Sequence, residues 1–261
     1  MKVFFGQLGQ STALILAGIA RLSKLFRDVL RYTFTGTVRS KALFEQMVLA
    51  GVDSLVIICL VGTAVGMVLA LQSAYQLKDI GMEIYTGSLV AVSVTRELGP
   101  LMAAIIISGR IGARMAAELG TMKVQEEIDA LVTMGLNPVR FLVVPRCLSL
   151  FVMLPCLTII TMWMAMVGGF LIGTVGVGIN PDVYISKSFE ALVMKDVYSG
   201  LFKSCVFAIL VALISCHQGL AVEGGADGVG KATTQAVVTS IVMIIIFDAL
   251  TTAILYYALP A

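Results

Sequence analysis

Histidine is nearly absent from this chain: His217 is the single one in 261 residues. No HExxH, no GxSxG and no paired metal ligands occur. His217 directly follows Cys216, and neighbours on a helix point about 100° apart, so the two make no catalytic pair. An intramembrane hydrolase or acyltransferase is therefore disfavoured. Charge is scarce as well, at 13% of residues against 59% hydrophobic. A soluble protein of this size cannot hide that much apolar surface, so the composition selects a polytopic membrane protein. The five cysteines, Cys59, Cys147, Cys156, Cys205 and Cys216, all lie in apolar stretches and none forms a CxxC. They read as small buried side chains rather than as a metal or disulfide framework. The first residues do not read as a cleavable signal either. Leu14 to Ala20 would pass for a short apolar core, yet Arg21, Lys24, Arg27 and Arg31 stand where a cleavage site should be.

What the chain does have is a set of long uncharged runs. Residues 54–77 carry no charge, 87–109 are broken only by Arg96 and Glu97, and 147–181 are uncharged. Residues 204–222 and 234–258 follow, the last interrupted only by Asp248. These predict five transmembrane helices at 52–78, 87–115, 147–175, 200–222 and 234–258. Ahead of them, Ile15, Ile19, Leu22, Phe26 and Val29 recur at spacings of four and three. Arg21, Lys24, Asp28 and Arg31 mark another face. That pattern predicts an interfacial amphipathic helix within 10–45. The fold class is thus all-α and polytopic, an interfacial helix plus five transmembrane helices.

Basic residues set the expected orientation. Seven Lys/Arg precede the first span and five more lie in 110–146. Placing both inside leaves the 78–86 and 182–203 loops outside, with four lysines in all. The N-terminus is then cytoplasmic and the C-terminus periplasmic. In the second outer loop, Tyr184, Lys187, Ala191, Met194 and Tyr198 suggest an amphipathic helix over 182–199. It would dock a periplasmic partner or rest on the membrane surface.

Four patterns bear on function. GADGVGKA, residues 225–232, fits the frame of a phosphate-binding loop, but Ala232 replaces the Ser or Thr that would hold Mg²⁺. Apolar spans flank it where a strand and an α/β domain are required, so a tight turn between helices explains it better. Arg96 and Glu97 lie inside a span, where a charge costs roughly 2.5 kcal/mol or more and faces a bundle interior or cavity. At about 1.5 Å per residue, Arg96 and Asp248 fall at similar depths. Arg96 therefore pairs with Glu97 or Asp248, or each reaches separately toward a polar cavity. Gly62 and Gly66, continuing to Ala70, and Gly169 with Gly173 permit close helix approach, within one chain or between two. Finally, 115–138 reads as a short helix after Gly120, ended by Gly135 with Pro138 beyond. Its Glu118, Glu126, Glu127 and Asp129 run against the basic trend and suggest a docking knob.

RELGPLMAAIIISGRIGARMAAELGTMKVQEEIDALVTMGLNPVRFLVVPR, residues 96–146, resembles the signature region of the MlaE (YrbE-like) permeases, membrane subunits of MCE-type lipid ABC transporters. GADGVGKATTQAVV, residues 225–238, resembles the second signature of that family, and the likeness runs from about residue 45 to the end. The resemblance implies a single permease domain over 1–261. It implies a homodimer enclosing a phospholipid cavity, driven by a separate ABC ATPase subunit. A periplasmic MCE-domain protein, and in some systems a STAS-domain protein, would complete the complex. It implies no catalytic residue and no cofactor in this chain, with ATP and Mg bound by the ATPase. No nucleic-acid partner is expected. Residues 120–134 become the helix coupled to the ATPase, with Glu118, Thr121, Met122, Glu126, Glu127 and Asp129 at that contact. Arg96 and Glu97 fall in the cavity lining, with Leu69, Gln72, Gln76 and Leu77 as further wall. The setting implied is a bacterial inner membrane, and the role is to maintain outer-membrane lipid asymmetry. The rival reading is a stand-alone channel or proton-coupled transporter that uses Arg96, Glu97 and Asp248 as a relay.

Overall fold

The computed structural model describes the backbone of residues 2–35 and 40–258, and the side chains of 18, 20–35, 40–255 and 257. The described chain is helical almost throughout. Its helices are α1 (Lys2–Thr35), α2 (Ser40–Ala50), α3 (Leu55–Lys78), α4 (Thr86–Ser93), α5 (Gly99–Ile107) and α6 (Ala113–Val124). They continue as α7 (Glu127–Thr133), α8 (Val144–Leu171), α9 (Pro181–Ala191), α10 (Met194–Leu220) and α11 (Gly225–Ala258). One-turn π segments at Val94–Leu98 and Ser108–Gly112 join α4, α5 and α6 into one rod. Two more, Val139–Val143 and Ile172–Gly176, extend α8 at its ends.

Five helical stretches are long and apolar enough to cross a membrane: Ser40–Lys78, Glu83–Val124, Val139–Gly176, Met194–Leu220 and Gly225–Leu255. An α-helix satisfies its backbone groups internally, which is what a bilayer demands. The spans run further than the uncharged sequence. Ser40 to Ala50, partly assigned to the interfacial helix, instead opens the first span. The fourth begins at Met194 rather than 200, and the fifth at Gly225 rather than 234. In the fourth, Asp196 faces protein, which hydropathy cannot see; Lys41, Glu45, Asp227 and Lys231 are exposed, so the first and fifth helical stretches start outside the apolar run.

Small residues set the closest packing. A Cβ at Gly66 would overlap the Ala165 carbonyl, and one at Gly168 would overlap the Thr63 carbonyl. The α3 and α8 backbones thus touch, and the glycine stripe works within one chain. The main core joins Ile107, Met115 and Leu119 to Leu150, Leu154 and Leu157 of α8, Phe207 and Val211 of α10 and Ile244 of α11. A smaller cluster of Ala70, Val90, Val94, Met162 and Ala165 lies where spans one, two and three meet.

Of the face expected on α1, Leu22 and Val29 pack on the core together with Leu25 and Tyr32. Phe26 is exposed instead, and the side chains of Ile15 and Ile19 lie outside the described residues. The single 182–199 helix is not formed. Leu192 and Val193 are extended, so Met194 and Tyr198 belong to α10. Asn180 caps α9 by accepting from the Asp182 N–H at 2.9 Å. Tyr184 then drops between Gly87 and Gly173 and meets the Phe170 ring edge-on at 5.8 Å. Burial pushes its phenol up to about 12. The Ser88 hydroxyl donates to the Lys187 carbonyl at 2.9 Å, fastening α9 to α4.

Candidate functional site

The site begins at a helix irregularity. Pro100 has no N–H to offer the Arg96 carbonyl, and the Gly99 N–H reaches back five residues to Val94. The resulting π turn carries Arg96 and Glu97, and such bulges concentrate at functional positions. The Arg96 Nε–H donates to Asp196 Oδ1 of α10 at 2.6 Å. Asp196 is 4% exposed at its side chain and Arg96 54%. The Nε edge of the guanidinium is therefore tied down, while about half of the side chain stays exposed.

Glu97 takes a different partner. Lys203 of α10, its side chain 2% exposed, donates to Glu97 Oε2. The same ammonium donates to the Thr252 hydroxyl at 2.6 Å and lies 3.0 Å from Asp248 Oδ1. The Thr252 hydroxyl is 3.2 Å from Glu97 Oε1 and 2.8 Å from the Asp248 carbonyl. An ammonium has three donors; two are spent on Glu97 and Thr252, and the Asp248 carboxylate is held by charge alone, its Oδ1 buried without a hydrogen-bond partner. That pairing is what makes a buried lysine tolerable, since an unpaired buried ion costs several kcal/mol. The cluster ties spans two, four and five together with two cations and three carboxylates.

Arg96 therefore pairs with neither Glu97 nor Asp248, the two partners expected from the sequence, but with Asp196. The depth match of Arg96 and Asp248 holds no contact; Lys203 stands between the carboxylates. Lys203, which the charge count places in an outer loop, is instead buried within span four. Sequence reasoning misses Asp196 and Lys203, although their spacing of seven puts them on one helix face.

The other expected cavity residues lie elsewhere. Gln72 and Gln76 line a groove of about 710 Å³ with Leu71, Tyr75, Gly176 and Val177. Leu69 packs against the smaller core cluster and Leu77 is half-buried. Neither Leu69, Leu77, Arg96 nor Glu97 is among the groove's lining. Within one chain, Gln72 and Gln76 share one place, Arg96 and Glu97 another, and Leu69 and Leu77 belong to neither.

At the opposite end of the bundle, the continuous 120–134 helix is two helices. Glu126 adopts φ 60° and breaks the path between α6 and α7. Lys123 Nζ spans the break to Asp129, at 3.0 and 3.1 Å. Glu118 is held by Arg114 at 2.7 Å and by the buried Arg146 at 3.0 Å. Met122 packs on the main core, turned away from the docking surface expected of it. Thr121, Glu126, Glu127 and Asp129 are exposed, beside exposed Val132 and Met134. Residues 225–232 form the opening turns of α11, with Lys231 3.8 Å from Asp227, and no phosphate-cradling loop.

The family described as Permease MlaE matches residues 43–254, which hold all of the cluster and both ends of the bundle. The chain belongs to the MlaE permease family. The permease is 39% identical over 214 residues to a probable ABC transporter permease protein of Rickettsia typhi, covering 82% of this chain and 83% of that one. It is 38% identical over 219 residues to a probable ABC transporter permease protein of Synechocystis, covering 84% and 83%. A third, from Pyropia yezoensis, is 36% identical over 225 residues, covering 86% of each. The chain is thus a membrane-spanning permease, and α1 lies wholly ahead of the matched region.

Proposed function

We propose that this permease is the membrane subunit of an ABC transporter that moves phospholipid between a bacterial inner membrane and the periplasm or outer membrane. Two copies enclose the lipid path, a separate ATPase drives it, and an MCE-domain protein receives or delivers lipid on the periplasmic side. A STAS-domain protein is a further partner on the ATPase. The orientation that fits has α9 outside and α7 inside. The observation that carries this reading is Arg96, 54% exposed at its side chain within an apolar span and anchored by buried Asp196. A guanidinium held at Nε presents its remaining donors to an anion, and a lipid phosphate is the anion available at membrane depth. Such a group does not face acyl chains bare, so a second copy or a lipid headgroup covers it.

Arg96→Ala, reconstituted with the ATPase and the MCE protein, is expected to lower phospholipid transfer by tenfold or more, about 1.4 kcal/mol or greater, while the complex still assembles. Full transfer by that variant would refute the role of Arg96. The Lys203 cluster favours one other reading, a proton relay in a stand-alone transporter. That reading predicts proton-driven flux without any ATPase, and dependence on Lys203 and Asp248 rather than on Arg96.

A further inference from the structure

The cross-section of α1 divides into three arcs. At about 100° per residue, Leu22, Leu25, Val29 and Tyr32 share one arc, and these pack on the main core. Phe26, Leu30 and Phe34 make the next arc, and all three are exposed, Phe34 at 84%. Arg21, Lys24, Arg27 and Arg31 make the third, also exposed, with Asp28 half-buried among them. The protein accounts for the first arc only. Adjacent apolar and basic arcs on one helix match the boundary between acyl chains and headgroups.

The position of α1 agrees with that boundary. It packs on the Val139–Val143 turn, where span three begins, and on α8 and α10. Beside it, Tyr32, Leu136, Asn137, Arg140, Phe141 and Pro145 line a groove of about 380 Å³. The Asn137 amide donates to the Tyr32 hydroxyl at 3.0 Å and closes the groove against α1. Arg140 adds a cation to that groove.

We propose that α1 and the segment leading into span three form a binding site for anionic phospholipid headgroups, separate from the transported lipid. Phe26, Leu30 and Phe34 enter the acyl region. Arg27 and Arg31, next to the apolar arc, hold the phosphate at the surface, and Arg140 beside the groove borders the site on the Tyr32 side. The proposal needs only that the chain spans a membrane, not that it transports lipid. Anionic lipid then fixes α1 against the bundle and sets the level at which spans three and four meet the interface.

The test uses the full chain in nanodiscs doped with phosphatidylglycerol or phosphatidylcholine, each carrying a photoreactive headgroup, and maps labelled peptides by mass spectrometry. Phosphatidylglycerol is expected to label peptides within 21–35 and 135–145 about tenfold more than phosphatidylcholine, as several cations facing one headgroup imply. Arg27→Gln, Arg31→Gln and Arg140→Gln together are expected to remove that preference. Equal labelling by the two lipids, or a preference that survives the substitutions, would overturn the proposal. Excess soluble glycerol phosphate should leave labelling unchanged; displacement would mean a free-phosphate pocket and would also overturn it. Should the triple variant fail to fold, the unmodified protein at about 0.5 M salt gives the same contrast, because exposed charges are then screened. A preference untouched by salt contradicts the proposal.

Discussion

Lys203 donates to Glu97 and Thr252 inside the spans and lies 3.0 Å from Asp248 as an ion pair. Removing it strands two carboxylates, so Lys203→Ala is expected to destabilise the permease by about 3–5 kcal/mol, read as denaturant or thermal unfolding in detergent. Combined substitutions sort the contacts. Arg96 with Asp196 should depart from additivity by about 1 kcal/mol or more, whereas Arg96 with Asp248 should add. A strong coupling between Arg96 and Asp248 would contradict the geometry. Tyr184 supplies a pH test. Its unfolded phenol titrates near 10, and the buried one at about 12 because burial disfavours phenolate. The stability from docking α9 is thus complete below about pH 10 and is lost as the pH climbs through 12. Hydrogen exchange over 181–191 should quicken in that window. Its hydroxyl is buried without a partner, so Tyr184→Phe should keep α9 docked and abolish the pH effect. At this scale, Arg96, Glu97 and Asp248 stand out in the sequence because each interrupts an apolar run. Asp196 and Lys203 do not, since a loop and the first turns of a span look alike when charges are merely counted. Only the seven-residue spacing marks them as one face.

Among elements, the contact of α3 with α8 is made by backbone, not side chains. Gly66→Val is expected to force the two helices apart and cost about 1–3 kcal/mol or more; a variant as stable as the parent would contradict the packing. The small-residue spacing is visible in the sequence but its partner is not, because the same stripe serves contacts within and between chains. The break at Glu126 is not legible at all. No glycine or proline announces it, and a left-handed residue of this kind costs roughly 1 kcal/mol. Glu126→Gly should therefore be tolerated at the backbone and raise the stability of the α6–α7 corner, seen as slower hydrogen exchange there. The ATPase contact that the family resemblance implies for 120–134 would use the exposed acidic and apolar edge of α7. Charge reversal at Glu127 together with Asp129 should abolish lipid-stimulated ATP hydrolysis while leaving the spans folded. Unchanged stimulation would remove α7 from that role.

Over the whole molecule, five spans are readable because uncharged runs of such length are rare outside a bilayer. Their ends are not, because the helices continue past the uncharged runs, in span four through charges that face protein, Asp196 and Lys203, and in span five through exposed ones, Asp227 and Lys231. The chain leaves two features unfinished by itself: Arg96 half-exposed at depth, and a groove at Gln72 and Gln76 apart from it. A second copy closing over both would join them into one lined path, which is why the proposed function requires a dimer and a lipid. The direct measurement is to purify the tagged chain from its native membrane in mild detergent and identify what accompanies it by mass spectrometry. An ABC ATPase, an MCE-domain protein and phospholipid are expected together, with two copies of the permease. A lone chain, free of ATPase and lipid and supporting proton-driven flux on reconstitution, would contradict the proposed function and turn the Lys203 cluster into a relay.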